Sequence, residues 1–152
     1  MMKSRELLFK AKRADNGEWV EGYIVKKHGT WFMYDVKNAD TCRQNNYAIE
    51  KDTICQFTGL KDINGKKIYE DDILMTLGME DMLEKVSFAE SDIYDYEDAV
   101  TDSVLGWFYE RYPPRKKNIA AVSLVQEKIN HYEIEVAGNI WDEEKEGKPY
   151  VL

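Results

Sequence analysis

Histidine and cysteine side chains are the first candidates for chemistry, because they supply nucleophiles, proton carriers and soft metal ligands. The chain has two of each: His28, His131, Cys42 and Cys55. His28 falls in a predicted turn beside a glycine, where exposure to solvent is expected rather than contact with a thiol. Two cysteines and one histidine would give only three soft ligands, at a spacing unlike that of zinc sites. We therefore predict reduced, buried thiols, no metal site, no cofactor and no catalytic residues, so the protein is predicted not to be an enzyme.

Acidic side chains dominate residues 70–110, which hold 13 Asp and Glu against the single base Lys85. The segment lacks the glycine and the spaced ligand positions of an EF-hand loop, so a solvated or partner-facing surface is the simpler interpretation. Aromatic residues are interleaved with the acids, so a second interpretation is that the acidic segment imitates a nucleic-acid backbone and occupies a basic site on a host protein. The residues predicted for this partner surface are Tyr94, Asp95, Tyr96, Glu97 and Asp98.

A small basic cluster lies just after the acidic segment. Arg111, Arg115, Lys116 and Lys117 surround Tyr112, a combination that could hold single-stranded nucleic acid by charge and stacking. The formal net charge of -8 and the sequence pI of about 4.9 disfavour nucleic acid as the main partner. We keep weak binding of single-stranded nucleic acid as an alternative function.

Length and composition predict a globular protein. The 152 residues are 43% hydrophobic and 33% charged, enough to bury a core without disulfides or metals. No stretch approaches the roughly 20 apolar residues of a membrane span, and the apolar run at residues 7–9 is too short for a signal peptide. We expect a cytoplasmic protein that does not bind membranes.

Turn residues and alternating apolar residues predict a mainly β fold, α+β at the margin. Residues 1–50 read as a β-meander with strands at 7–12, 19–25 and 30–36, turns at 15–17 and 26–29, and a loop at 37–47. In residues 51–152 a hairpin turn at 62–65 places Gly65 in the left-handed region. Further strands are predicted near 54–57, 72–77, 85–89, 105–109 and 132–137.

One or two short helices are also expected. Ile93, Tyr96, Val100 and Val104 recur at three- or four-residue spacing, which is typical of a helix. A second helix near 124–130 is predicted to begin with a capping box, in which the Ser123 hydroxyl and the Gln126 side chain bond early backbone N–H groups.

Residues 56–74, together with 133–141, closely resemble the signature of the YopX family of phage and prophage proteins, and residues 5–10 and 19–23 resemble the family's N-terminal strands. The resemblance leaves residues 79–130 unmatched, and Asp71 stands where the family usually has glycine. Aspartate tolerates positive φ better than most residues, so the backbone can be retained there. The residues of this structural signature are Gln56, Thr58, Gly59, Leu60, Asp62, Asn64, Gly65, Tyr69, Asp72, Ile73, Gly138 and Asn139.

The resemblance implies a β-rich fold with an SH3-like barrel, here residues 51–152 following the meander within one YopX-like domain. It implies no particular biochemical activity. Asp62 and the Asn64–Gly65 pair suffice to build a tight turn, so we interpret the signature as a folding element that joins two β units.

The predicted function is that of a phage or prophage accessory protein that acts by protein–protein contacts without catalysis. Four tryptophans, ten tyrosines and the edge strands of a small β protein favour a homo-oligomer. The alternatives are an acidic nucleic-acid mimic that inhibits a host protein, a weak single-stranded nucleic-acid binder, and a small enzyme.

Overall fold

The structure, a computed structural model, describes residues 6–38, 46–94, 100–113 and 122–142, with the side chains of 91–104 left out. The chain divides into two compact units, Met1–Gly59 and Leu60–Leu152. Both are built on antiparallel strands, which confirms the mainly β class. No helix in the described part of the chain is long and apolar enough to cross a membrane.

The first unit contains a meander. Its strands are β1 (Phe9–Lys12), β2 (Trp19–Lys27), β3 (Thr30–Asp35), β4 (Asn46–Ala48) and the first part of β5 (Cys55–Lys61), in the order β4-β3-β2-β1-β5. The strands predicted at 19–25 and 30–36 are confirmed. Strand β4 begins at Asn46, so the last two residues of the predicted loop 37–47 belong to a strand instead. Tyr47 lies opposite Met33 and is held by that pairing. Residues 39–45 of that loop lie outside the described residues.

Tight turns and one close backbone approach fix the register of this sheet. His28 and Gly29 join β2 to β3 with φ values of 48° and 82°, as a two-residue hairpin turn requires. Gly22 lies opposite Asp35, and a Cβ there would collide with the carbonyl of Tyr34. The core of the unit is Ala11, Met33 and Ile49, against which Val20, Ile24, Trp31 and other apolar residues pack.

The second unit contains the hairpin strand β6 (Lys67–Tyr69) and a five-stranded sheet. The sheet strands are β7 (Asp72–Thr76), β8 (Leu83–Tyr94), β9 (Val100–Arg111), β10 (Val122–Ser123) and β11 (Ile134–Asn139), in the order β10-β9-β8-β7-β11. The helix α1 (Gln126–His131) precedes β11. The buried core residues are Ile68, Leu74, Val86, Tyr109, Leu124, Ile129 and Ile134. Among the described strands no pairing joins β10 to β11, so the expected SH3-like barrel is not shown.

Two predictions about helices need correction. Residues 93 and 104 belong to strands, because β8 and β9 pair along their whole length and thereby override a coincidental helical spacing. The helix near 124–130 exists, but it begins at Gln126 after Val125 and has no side-chain cap. The Gln126 amide instead donates to the Lys61 carbonyl at 2.7 Å and accepts from the Lys61 N–H at 3.1 Å. A tertiary partner has replaced the expected capping box.

Candidate functional site

Asp62 organises the turn that follows β5. Its Oδ1 accepts hydrogen bonds from the backbone N–H groups of Asn64 and Lys66, at 2.9 and 2.8 Å. Its Oδ2 accepts from the N–H of Val136 on β11, at 3.0 Å. Gly65 takes a φ of 80°, which confirms the left-handed turn position. The carboxylate is 5% exposed and its two oxygens are occupied by backbone donors, so it holds a hairpin against a strand 74 residues away.

The same turn makes two further contacts with β11. The Ile63 N–H donates to the Ile134 carbonyl at 3.0 Å, and the Asn64 side-chain amide donates to Glu135 at 3.2 Å. The turn is therefore bonded to three successive residues of the strand. This explains physically why the two signature segments, distant in sequence, belong together.

A second buried pair joins the signature to the end of β11. Asp72 accepts from the Tyr69 N–H at 2.8 Å and from the Asn139 side-chain amide at 2.9 Å. Asn139 accepts from the Trp141 N–H at 3.0 Å, and its own N–H donates to Asp142 at 2.8 Å. Asp72 and Asn139 are buried, and a buried carboxylate needs such donors to be tolerated.

Asp71 adopts positive φ, 62°, at the position where the resemblance led us to expect a glycine. Its N–H donates to the Val86 carbonyl at 2.9 Å, and its carbonyl accepts from the Ile140 N–H at 3.1 Å. Its carboxylate accepts from the Trp141 indole N–H at 3.3 Å and lies 4.0 Å from the Lys85 ammonium. Aspartate is thus tolerated in the left-handed region and gains contacts that glycine could not make.

The long hairpin of β8 and β9 extends beyond the rest of its sheet. Strand β7 pairs with β8 only at residues 83–85, and β10 pairs with β9 only at Phe108 and Tyr109. In the described structure, residues 87–94 and 100–107 have no strand partner except each other, although the Leu124 N–H donates to the Trp107 carbonyl at 2.9 Å at the base of this hairpin. We name these residues the arm.

One face of the arm is largely apolar, with Glu90 lying on it opposite Leu105. Phe88 lies opposite Trp107, with ring centroids 5.0 Å apart in an edge-to-face arrangement. Leu105 lies two residues further out on β9 and is 66% exposed, and Phe88 is 45% exposed. The Trp107 indole N–H is buried without a hydrogen-bond acceptor among the described residues. This face continues the core outward from Tyr109 into solvent.

The base of the arm holds an ionisable cluster. Burial raises the pKa of Glu84, although the guanidinium of Arg111 on the paired position of β9 opposes that shift. Burial also raises the pKa of Tyr109, and the charge of Glu84 adds to it. Burial thus disfavours the charged form of Glu84, whereas the charge of Arg111 favours it, and burial is the larger of the two effects.

Family models give a direct comparison: the model described as YopX protein matches residues 1–145 of the chain. The chain belongs to the YopX family. The match extends across residues 79–130, which the signature segments alone do not cover. A comparison with curated proteins found no match.

The remaining residues of the YopX signature lie on β5, β6, β7 and β11. Thr58, Tyr69 and Ile73 are buried. Gly59 has a φ of 85°, a conformation that favours glycine. Gly138 follows a bulge at which the register between β11 and β7 shifts. The other members are placed as follows: Gln56 pairs with Phe9 on β1, and Leu60 packs against the core of the second unit.

Of the five residues predicted for a partner surface, only Tyr94 belongs to the described residues. Tyr94 is the last residue of β8, and its side chain is outside the described set. Asp95, Tyr96, Glu97 and Asp98 also lie outside the described residues. The prediction that these five residues contact a partner therefore stays a prediction.

The histidines and the described cysteine occupy unrelated places. His28 lies in the β2–β3 turn, and His131 ends α1 with its ring edge-to-face against Tyr132. The buried Cys55 thiol donates to the Thr53 carbonyl at 3.3 Å. Cys42 lies outside the described residues. Within the part of the chain that is described, no three His, Cys, Asp or Glu side chains are grouped to hold a metal ion.

Sequence reasoning missed the arm, because the spacing of residues 93–104 suggested a helix. The signal that could have revealed it is the apolar alternation at Val86 and Phe88, together with the same alternation at Trp107 and Tyr109. In the structure Val86 pairs with Tyr109 and Phe88 pairs with Trp107. Two alternating runs that follow one another along the chain are typical of a β-hairpin.

Proposed function

We propose that this YopX-family protein is a phage accessory protein that acts without catalysis, through protein–protein contacts, and that its arm joins two copies of the chain. The observation that carries the proposal is the apolar face of Phe88, Leu105 and Trp107 on a ribbon without further sheet neighbours in the described structure. An isolated two-stranded hairpin is marginally stable in water, and additional strands or packing stabilise it. A second copy would supply both.

The open edges of the arm favour a β-strand partner. The outer edge of each arm strand presents backbone N–H and C=O groups, which are a template for strand addition. A second arm offers the same groups and the same apolar face, so the contact would be self-complementary, as two-fold dimers require.

Charge gives the association a characteristic salt dependence. Residues 87–107 contain six Asp and Glu and no Lys or Arg. Two arms therefore repel each other, and added salt should strengthen their association by screening that repulsion. The second candidate function, an acidic mimic that occupies a basic host protein, is favoured by the same six acids and predicts the opposite dependence.

Sedimentation velocity of the full chain at low and high salt tests both candidates. We expect a dimer or larger assembly whose population rises with salt, and a monomer for the double variant Phe88→Ser, Leu105→Ser. The matched control is Leu77→Ser, Met79→Ser, which changes two comparably exposed apolar residues outside the arm. A wild-type monomer at micromolar concentration at all salt concentrations would refute self-association. Salt-sensitive capture of a basic host protein would then favour the mimic.

A further inference from the structure

One face of the sheet in the first unit lies opposite its core, and we name it the outer face. The paired positions Lys10–Glu21 and Lys12–Trp19 place β1 and β2 residues on this face, and Tyr23–Tyr34 extends it to β3. The buried Ala11 and Met33 point to the other side. The outer face comprises Lys10, Lys12, Trp19, Glu21, Tyr23, Val25, Lys27, Thr30, Phe32, Tyr34, Asn46 and Ala48.

The cations of the outer face lie over its aromatic rings. The Lys10 and Lys12 ammonium groups are 4.8 and 5.7 Å from the ring centroid of Trp19. Lys27 lies 5.8 Å from the ring centroid of Tyr34 and donates to its hydroxyl at 3.1 Å. That hydrogen bond, followed by a second one from Asn46, lowers the pKa of Tyr34. These contacts hold positive charge close to aromatic rings on one face of the sheet.

The distribution of charge between the units supports an anionic partner for this face. The first unit has ten Lys and Arg against eight Asp and Glu, whereas residues 60–152 have eleven against twenty-one. The outer face itself carries three lysines and one glutamate. The overall charge of -8 therefore arises from the second unit, and it does not argue against binding of a polyanion to the first unit.

Four aromatic residues on the outer face need a further explanation. A solvated sheet face is ordinarily polar, yet Trp19, Tyr23, Phe32 and Tyr34 occupy this one, and Tyr23 is 55% exposed. Aromatic residues also occur at protein–protein interfaces, and it is their combination with three lysines on one sheet face that favours a partner with both bases and phosphates. Nucleic-acid bases stack on aromatic rings while lysines follow the phosphates, and a flat sheet is a platform for both.

At β4 the outer face borders a groove of about 640 Å³. Phe32, Asn46 and Ala48 of the face line it together with Arg13 and Asp15, which form an ion pair with an N···O distance of 2.6 Å. The Arg13 guanidinium also lies 4.1 Å from the ring centroid of Tyr47. This volume is within the range of small-ligand sites, which gives a splayed base room beside the stacking platform.

We propose that the outer face of the first unit binds single-stranded nucleic acid, with Trp19, Tyr23 and Tyr34 stacking on bases and Lys10, Lys12 and Lys27 contacting phosphates. The assignment is independent of the arm. It also uses none of the residues of the small basic cluster after residue 110.

Fluorescence anisotropy with a labelled oligothymidylate of about 20 nucleotides tests the proposal on the full chain. Three phosphate contacts predict a log–log salt slope of about -2, so affinity should fall about twentyfold between about 50 and 200 mM salt. Lys27→Gln should reduce the slope to about -1.4. Lys66→Gln removes the same charge from an exposed site in the second unit and should leave the slope unchanged.

The aromatic contribution has its own matched pair of variants. Tyr23→Ala should weaken binding about fivefold or more, because one stacked base is lost. Tyr132→Ala removes a tyrosine of nearly equal exposure, 52%, from the second unit and should not change the affinity. Circular dichroism of each variant confirms the fold, and Tyr23 is exposed enough that its replacement should not disturb it.

Three results would overturn the proposal. The first is no anisotropy change at about 50 mM salt up to high micromolar protein. The second is equal losses in the Tyr23→Ala and Tyr132→Ala variants. The third is self-association that Tyr23→Ala abolishes without any oligonucleotide binding, which would assign the outer face to the acidic unit of another copy instead.

Discussion

Replacing Asp62 with alanine should destabilise the second unit by about 4 kcal/mol. The change removes three hydrogen-bond acceptor contacts to backbone N–H groups. Asn64 and Lys66 are exposed, so water can reach their N–H groups, and each bond then costs about 0.5–1.5 kcal/mol. The Val136 N–H lies in a partly buried position, where an unsatisfied donor costs about 1–3 kcal/mol. The sum is about 2–6 kcal/mol, a large share of the about 5–15 kcal/mol that stabilises a typical domain.

Replacing Asp62 with asparagine keeps the size of the side chain and removes only its negative charge. An amide oxygen can still accept from two N–H groups, but the amide NH2 must then face the remaining donor. Asp62→Asn should therefore lower the free energy of unfolding by about 1–3 kcal/mol, which is less than the loss expected for Asp62→Ala. Asp81→Ala, which removes an exposed aspartate from a turn of the same unit, should have no measurable effect.

Urea unfolding followed by tryptophan fluorescence gives these free energies, and amide hydrogen exchange locates the loss. The N–H groups of Lys66 and Val136 should lose protection in Asp62→Ala while the global fold persists in the absence of urea. If Asp62→Ala matches Asp81→Ala within about 1 kcal/mol, the carboxylate is not holding the turn against β11. If Asp62→Asn is as stable as the wild type, the charge-assisted bonds have been overestimated.

Three further outcomes are expected in urea unfolding. Asn139→Ala should cost about 2–4 kcal/mol, because it removes a donor from the buried carboxylate of Asp72; a cost below about 1 kcal/mol would contradict the buried pair. Both Asp71→Ala and Asp71→Gly delete a carboxylate at φ 62°, but alanine should be about 1 kcal/mol less stable because only glycine adopts that φ without strain; equal stabilities would contradict this. Burial raises the pKa of Glu84, so its charged form destabilises the fold at neutral pH despite the attraction of Arg111. Glu84→Gln should raise the urea midpoint at neutral pH, and the gain should vanish below the usual glutamate pKa of about 4.3; a pH-independent difference would refute this cause.

The sequence predicted best where one or two residues determine the backbone. Gly65 supplies positive φ in the turn after β5, and the His28–Gly29 turn joins β2 to β3 as expected from local chemistry alone. The tolerance of aspartate for positive φ at position 71 also follows from local sterics. These are short-range effects, which a single sequence contains in full.

Long-range pairing was harder to predict. Nothing local shows that Asp72 will meet Asn139, 67 residues away, or that Gln126 will bond Lys61 instead of capping its own helix. The spacing of residues 93–104 fitted a helix by coincidence, and cross-strand pairing of β8 with β9 decided the outcome. The outer face of the first unit likewise emerges only when the register shows which lysines and rings share a side.

The buried signature constrains where a partner can bind. Asp62 and Asp72 direct their carboxylate oxygens to backbone or amide donors and are almost inaccessible to solvent. A ligand that used either carboxylate would first have to break these bonds and expose the core beside them, at a cost of several kcal/mol. Side chains whose polar atoms are already bonded inside the fold make poor contacts for a partner. Phe88, Leu105 and Tyr23 instead expose apolar surface to water, and that exposure carries a free-energy cost within their own units. Binding of a partner would recover that cost, and for this reason we propose that the protein uses the arm and the outer face for its interactions rather than the signature that identifies its family.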